Sequence, residues 1–260
     1  MKTREFLNTI DGFAEIIEIE TESVKDSYDE LYRYENTLQN STQLLDNDSL
    51  SAIRSARENI VSDSIELVFA KYSIGMPIEE IKKDYLVALK EMFLVWNDRT
   101  INSFSHNSLE PFYDTDEYWK ILQIISLGIL FNVVNREKMQ ILSIRDKIAA
   151  PDLILDFLCT YIDQRKFSFE QSVGDKYNGL IKTINEFAAK NAAYAINDYL
   201  KKEWLKDYKR QGFITTHNSK FNVHRGYWSF ESGAIMKILN ADDTILKGQQ
   251  FYPYDMVHWN

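Results

Sequence analysis

The residues of this chain best suited to metal or acid–base chemistry are its histidines and a pair of adjacent aspartates. His217 and His224 lie seven positions apart, and no HExxH or CxxC motif, the common spacings of zinc ligands, accompanies them. Asp242 and Asp243 lack the regular oxygen-ligand spacing of a calcium loop. Asp242 is better explained as the N-cap of a short helix over residues 243–247. The sequence therefore predicts no metal site and no bound cofactor.

Nucleophilic catalysis has little support in the sequence. The single cysteine, Cys159, lies in an apolar run, so we expect a small buried hydrophobic residue and not a reactive thiol. The sequence contains no GxSxG motif and no glycine-rich phosphate loop, and its glycines are scattered. We therefore expect no catalytic residues and a protein that is not an enzyme.

Glu231 is the acidic residue with the most unusual surroundings. On a helix that starts near Tyr227, it shares a face with Tyr227, Trp228, Ala234, Ile235 and Ile238. A carboxylate on an apolar face is costly unless it is paired or hydrogen-bonded. It could be a catalytic acid with a raised pKa, or a buried anchor held by a tyrosine hydroxyl, a tryptophan N–H or an arginine. We favour the anchor, because no second catalytic group lies nearby in the sequence.

The last residues of the chain combine aromatic side chains with a proline. Tyr252-Pro253-Tyr254 is predicted to be extended, because proline disfavours a helical conformation in the residue before it. The aromatic rings can pack on the helix that carries Trp228 while their hydroxyls find partners, which would form a C-terminal clasp. A peptide-binding aromatic groove is the functional alternative.

The net charge of −9 is concentrated in the first fifty residues, which hold twelve acidic and four basic residues. Direct nucleic-acid binding requires a basic surface, and this distribution argues against it. A basic protein partner is more consistent with the charge.

Much of this acidity follows helical spacing. Five acidic residues recur at intervals of three and four, and on one continuous helix they line one face: Glu15, Glu18, Glu22, Asp26 and Asp29. The opposite face is apolar: Phe13, Ile16, Ile17, Val24, Tyr28 and Leu31. The acidic face is either an ordinary solvated surface or an interface for a basic partner.

Helical periodicity extends over nearly the whole chain, and the fold class predicted is all-α. Helices are expected over 51–72, 78–96 and 116–134, a further helix opens at Pro151, and two consecutive helices cover 176–208. Polar segments at 40–49 and 102–114 are predicted loops, and 213–215 gives a weak strand signal. We expect a multi-helix bundle or stacked helix pairs with an aromatic-rich C-terminal clasp, in two domains covering 1–110 and 111–260.

The chain shows no feature of a membrane protein. Its first residues lack the apolar segment of a signal peptide. The most apolar window, 121–131, is too short to span a bilayer, and a buried core helix explains it better. We therefore expect a cytoplasmic protein with no membrane partner.

The C-terminal motifs resemble a known family. Gly226-Tyr227-Trp228-Ser229-Phe230-Glu231, Asp242-Asp243 and Tyr252-Pro253-Tyr254-Asp255 resemble the signature of PoNi-type immunity proteins, which protect bacteria against polymorphic-toxin nucleases. The runs at 150–158 and 199–204 are also similar to that family. The chain departs from the family pattern at Asn240-Ala241, Gly233 and Phe251, which we interpret as tolerated packing changes.

The resemblance implies an all-helical antitoxin that binds a DNase toxin in the cytoplasm and blocks it. It also implies that the signature residues are structural: Trp228, Glu231, Asp242, Asp243, Tyr252, Pro253, Tyr254 and Asp255. The family signature does not show which residues contact the toxin. From the placement of charge, we expect Glu15, Glu18, Glu22, Asp26 and Asp29 to take part in its capture. An acidic helical adaptor or DNA-mimic regulator of another basic protein remains the alternative, and an enzyme acting through Glu231 is a third possibility.

Overall fold

The computed structural model describes residues 3–40, 47–96, 103–104, 111–112, 115–148, 151–163, 177–185, 191–210 and 216–260. Eleven α-helices occupy these residues, and the one sheet among them pairs two short strands, so the all-α prediction is confirmed. The chain forms two compact units. Residues 1–99 and 216–226 make the first unit, and residues 100–215 and 227–260 make the second. The domain boundary near residue 110 stays a prediction.

The first unit is built from three long helices: α1 (Ile10–Asn40), α2 (Asn47–Ile74) and α3 (Ile78–Trp96). Side-chain pairs between α1 and α2 run in opposite order along the chain, from Ser23–Asp63 to Glu35–Arg57, so these helices are antiparallel. Gly75, with a φ of 95°, ends α2 in the left-handed conformation that favours glycine, and Met76 donates its N–H back to the carbonyl of Lys71.

A buried ionic network joins the three helices. The carboxylate of Glu91 on α3 has no exposed surface and is paired with Arg57 of α2. The hydroxyl of Tyr28 on α1 donates a hydrogen bond to Glu91 at 3.1 Å, and burial raises the pKa of that hydroxyl, with a further contribution from Glu91. Because breaking a buried pair leaves an uncompensated charge, loss of one of these partners would destabilise the packing of the three helices.

The second unit surrounds α4 (Thr115–Leu130), which is buried on nearly every face. Two-residue strands, β1 (Ser103–Phe104) and β2 (Pro111–Phe112), pair antiparallel before it. The helices that follow α4 are α5 (Asn135–Asp146), α6 (Leu153–Asp163), α7 (Asn178–Asn185), α8 (Ala192–Lys202), α9 (Trp204–Arg210), α10 (Phe230–Leu239) and α11 (Tyr254–Val257). Helices α5, α6 and α10 contact α4, so the apolar window around residue 125 forms the centre of the unit, as predicted.

Two predicted elements differ from the structure in detail. The segment predicted as two helices forms three, because α8 ends at Lys202 and α9 restarts at Trp204, whose buried ring packs against Tyr199 and Tyr208. Pro151 does not open α6. Asp152 caps this helix, with its Oδ1 accepting the backbone N–H groups of residues 154 and 155. The weak strand at 213–215 and most of the 40–49 and 102–114 loops lie outside the described residues.

Candidate functional site

The acidic face of α1 is exposed along its whole length. Glu15, Glu18, Glu22, Asp26 and Asp29 are all exposed, whereas Phe13, Ile16 and Leu31 on the opposite face are buried. Val24 and Tyr28 pack against a cluster that contains Leu31, Ala56 and Ile60. The amphipathic pattern read from the sequence therefore places the apolar face on the core of the first unit, and the five carboxylates remain accessible to a partner.

Few cations balance this face. Within the described part of the chain, Glu18, Glu22, Asp26 and Asp29 form no ion pair, and Glu15 accepts a hydrogen bond from the amide of Asn222 at 2.6 Å. Two basic residues of α1, Lys25 and Arg33, are also exposed, and Arg33 donates to the backbone carbonyl of Asp29 at 3.4 Å. The face keeps an excess of negative charge, which is repulsive without a partner.

The structure adds a second acidic cluster that sequence spacing did not reveal. Glu20 on the inner side of α1 meets Asp63 and Glu66 of α2, and the three carboxylates offer oxygen atoms within 4.8 Å of one another. Arg225 enters this cluster from the segment that returns to the first unit, pairing with Glu20 and, at 2.6 Å, with Glu66. Burial raises the pKa of Glu66 to about 7, against the lowering effect of Arg225 and with a further increase from Glu20.

Among the described residues this cluster is the only group of three or more side chains with the geometry to hold a metal ion. The guanidinium of Arg225 already supplies a positive charge there and forms hydrogen bonds to the carboxylates. Its planar set of donors matches carboxylate geometry, so the cluster is explained as an ionic contact within the first unit.

His224 lies outside any helix or strand and is buried. Its Nδ1 lies 2.9 Å from the hydroxyl of Thr216, and its Nε2 lies 3.4 Å from Glu5, which is also buried. The ring of His217 lies 5.9 Å from that of His224. Glu5 gave no sequence signal, because a contact between residues more than two hundred positions apart follows no local spacing rule.

Glu231 is sealed inside the second unit, with no exposed surface. The hydroxyl of Ser229 donates to Oε1 at 2.9 Å, and the amide of Gln123 lies 3.4 Å from Oε2. These partners are not the tyrosine, tryptophan or arginine expected from the sequence. Burial raises the pKa of Glu231 to about 7, with a smaller increase from Asp207, while hydrogen bonds from its own backbone, Ser229 and Gln123 lower it.

Helix α10 begins at Phe230, so Tyr227 and Trp228 precede it and do not share a helical face with Glu231. Both aromatic residues are nevertheless buried, at 2% and 3% exposure. Ser229 is the N-cap residue and its backbone N–H donates to the carbonyl of Phe251 at 2.9 Å. The start of α10 is therefore fixed by the residues just before Tyr252.

The two adjacent aspartates have different environments. Asp243 is buried and accepts hydrogen bonds from the Tyr252 hydroxyl at 2.7 Å and from the His258 ring at 2.9 Å. Asp242 is exposed, and its Oδ1 accepts the N–H and the hydroxyl of Thr244. The hydrogen bond from the Thr244 hydroxyl lowers the pKa of Asp242. The predicted N-cap was wrong by one residue: Asp243, not Asp242, is the N-cap residue of the short turn Thr244–Leu246. Asp242 holds the first residue of this turn from one position earlier, while Asp243 connects the turn to the C-terminal aromatics.

Pro253 packs on α10 at Gly233. A Cβ atom at position 233 would lie 2.6 Å from Cγ of Pro253, so the glycine allows a close approach. The sequence predicted that Tyr254 would be extended, and this was wrong: Tyr254 is the first residue of α11. Proline in the residue before a helix is compatible with this start, because its missing N–H is not needed there. Tyr254 is partly buried and Asp255 is exposed.

The acidic face of α1 is thus accessible, whereas most of the C-terminal motif, including Trp228, Glu231, Asp243 and Tyr252, is buried. A carboxyl group without exposed surface, as in Glu231, has no contact with solvent from which a substrate could reach it. This placement favours the structural interpretation of Glu231 over the catalytic one. No described helix combines the length and the hydropathy needed to cross a membrane.

The chain is all-helical in its described residues apart from two short strands, with an accessible acidic helix face and a largely buried aromatic motif near its C-terminus. Two family profiles match it: the N-terminal domain of PoNe immunity proteins (PoNi) over residues 4–143, and the C-terminal domain over residues 150–256. The chain belongs to the family of PoNe immunity proteins, and the resemblance drawn from the C-terminal motifs is confirmed.

A solved structure supports the fold. The crystal structure of protein PA2201 from Pseudomonas aeruginosa matches with a TM-score of 0.68 and 17% sequence identity, over 98% of this chain and 89% of that one. At this identity the similarity concerns the fold alone. A search of curated protein sequences gave no significant match.

Proposed function

We propose that this immunity protein binds a cognate DNase toxin in the cytoplasm and neutralises it by protein–protein contact, without catalytic activity of its own. The observation that carries the proposal is the match to both immunity domains in a chain that exposes an acidic helix face. The acidic face from Glu15 to Asp29 takes part in capturing the toxin.

The charge of the partner gives this proposal its physical basis. A nuclease holds the phosphates of its substrate with basic residues, so its substrate-binding surface carries positive potential. An acidic inhibitor is attracted to that surface over a distance of several ångströms, and complementary potentials raise association rates. In the first unit, α1 presents five exposed acidic residues along one face.

Co-expression with the candidate nuclease encoded beside its gene tests the proposal. We expect the protein to restore growth of cells that make the nuclease and to co-purify with it. The purified chain should leave DNA intact. Growth that is not rescued by the protein with any neighbouring nuclease, or robust DNA cleavage by the pure chain, would overturn the proposal.

The alternative function is an acidic adaptor or DNA-mimic regulator of another basic protein. It is supported by the same exposed face, because the charges of α1 do not by themselves select a toxin. Co-purification with a nucleoid or restriction protein in cells that lack a neighbouring nuclease gene would favour this alternative.

A further inference from the structure

Two large apolar side chains of α1 lie on its outward side with the acidic residues. Ile19 is 55% exposed and Tyr32 is 67% exposed. At 1.5 Å per residue they are separated by about 20 Å along the helix axis. An open depression lies along this stretch, and its lining includes Ile19, Tyr32, four acidic residues and the basic residue Arg33.

The core of the first unit does not need these two side chains. Phe13, Ile16 and Leu31 already supply the buried face of α1. The hydroxyl of Tyr32 forms no hydrogen bond within the described part of the chain. A single exposed apolar residue is ordinary, but two in one depression lined mainly by carboxylates, with one arginine, have the composition of a protein interface. In such interfaces a few aromatic or aliphatic anchors supply most of the affinity and the charged rim supplies orientation.

We infer that α1 docks against the DNA-binding face of the toxin. Ile19 and Tyr32 are the apolar anchors, and the acidic face of α1 occupies the position that the DNA backbone would take. This inference rests on the proposed function and identifies the surface of the partner. Charge complementarity supports it: successive acids of the acidic face are three or four residues apart, so about 4.5–6 Å separates them along the helix axis. One strand of DNA carries a charge about every 3.4 Å. The acidic face therefore offers a nuclease a line of negative charge at roughly two thirds of the density of one DNA strand.

Dissociation kinetics test the anchors. The double variant Ile19→Ala/Tyr32→Ala should dissociate from the nuclease encoded beside the gene at least about tenfold faster than wild type. Removing interface anchors acts mainly on the dissociation rate. The matched control is Val134→Ala/Tyr194→Ala, since these residues are 58% and 64% exposed in the second unit. The control should dissociate at the wild-type rate. Tyr32→Phe, which keeps the ring, should also remain close to wild type.

Competition with DNA tests the surface of the partner. A phosphorothioate duplex that resists cleavage, bound to the nuclease beforehand, should slow association of the wild-type protein in proportion to its occupancy. A duplex with no effect on association would show that the protein binds a different face of the nuclease and would overturn the inference.

The outcomes separate this inference from the proposed function. If wild-type protein does not bind the nuclease at all, the proposed function fails. If it binds and the Ile19/Tyr32 variant dissociates no faster than the Val134/Tyr194 control, Ile19 and Tyr32 are not interface anchors. The inference then fails and the proposed function stands. Circular dichroism melts of both double variants, expected to match wild type, show that a faster dissociation comes from the surface and not from unfolding.

Discussion

At the scale of single residues, Glu231 connects protonation with folding. Its pKa of about 7 in the folded protein lies above its ordinary value of 4.5, mainly because the charged form is excluded from water. The folded state therefore holds the proton more tightly than the unfolded state. The stabilising contribution is complete below pH 4.5 and is lost as the pH rises towards 7.

Glu231→Gln should flatten the pH dependence of stability between pH 4.5 and 7. The substitution keeps the size of the side chain and removes its titration, so the pH-dependent change in the free energy of unfolding should shrink by up to about 3 kcal/mol. Denaturant titrations at several pH values measure this change. Glu18→Gln, on the exposed face of α1, is the control and should keep the wild-type profile. A Glu231→Gln profile identical to wild type would contradict the assignment.

Trp228→Ala should destabilise the protein by about 3–5 kcal/mol, because it removes a large buried side chain and leaves a cavity. The side chain is 3% exposed, and we expect toxin binding to persist below the melting temperature. Thermal melting and binding measurements on the same variant check both statements. A variant that melts like wild type but no longer binds the toxin would show that the motif is an interface.

At the scale of elements, α1 divides its roles between two faces. The buried face holds the helix on α2, and the exposed face carries charge that the described residues leave largely uncompensated. Charged rims mainly change how fast partners meet, whereas buried contacts change how long they stay together. Changes to the acidic face should therefore alter mainly the association rate, whereas changes to Ile19 and Tyr32 should alter mainly the dissociation rate.

Glu18→Lys/Glu22→Lys/Asp26→Lys should lower the association rate with the cognate nuclease about tenfold or more at low salt. The difference from wild type should shrink at high salt, because ions screen exposed charges beyond a few ångströms. Stopped-flow or surface-based kinetics at two ionic strengths measure this effect.

The control for this variant reverses three exposed acids elsewhere: Glu80→Lys/Asp198→Lys/Glu203→Lys. It changes the net charge by the same amount, so it separates the position of the charge from its total. Equal slowing of both variants, or an unchanged salt dependence in the α1 variant with the fold intact, would leave the acidic face as an ordinary solvated face.

At the scale of the whole molecule, the first unit is completed by a segment from near the end of the chain. Residues 216–226 belong to this unit together with residues 1–99. Arg225 contacts Glu20, which lies 205 positions earlier, and the hydroxyl of Ser73 donates to the carbonyl of Arg225 at 2.7 Å. The amide of Asn8 also donates to Asn222 at 2.9 Å. The first unit is therefore not one continuous stretch of the sequence, because it combines residues 1–99 with residues 216–226.

Arg225→Met should destabilise the first unit by about 2 kcal/mol, because it leaves Glu20 and Glu66 together without their shared cation. The loss should be larger at pH 8 than at pH 5, since protonation relieves the repulsion between the carboxylates. Denaturant titration at the two pH values measures it, with the exposed Arg136→Met as the control. A loss that does not depend on pH would show that Arg225 contributes packing alone.

Local patterns of the sequence predicted the long helices of the first unit, the central helix of the second unit and the family. Period-3.6 repeats gave α1 to α4, and the position of the acidic residues on one face of α1 followed from their spacing alone. The motifs from Gly226 to Asp255 were sufficient to identify the family. Patterns of this kind are visible in sequence because helix geometry relates residues only three or four positions apart.

The tertiary structure decided which distant residues meet. It placed Ser229 and Gln123 around Glu231, His224 beside Glu5, and Arg225 between Glu20 and Glu66. It also showed that Gly233, interpreted from sequence as a tolerated change, allows the close approach of Pro253. Such contacts depend on how helices pack, and packing is set by the combined shape and burial of many side chains, for which no spacing along the chain is a guide.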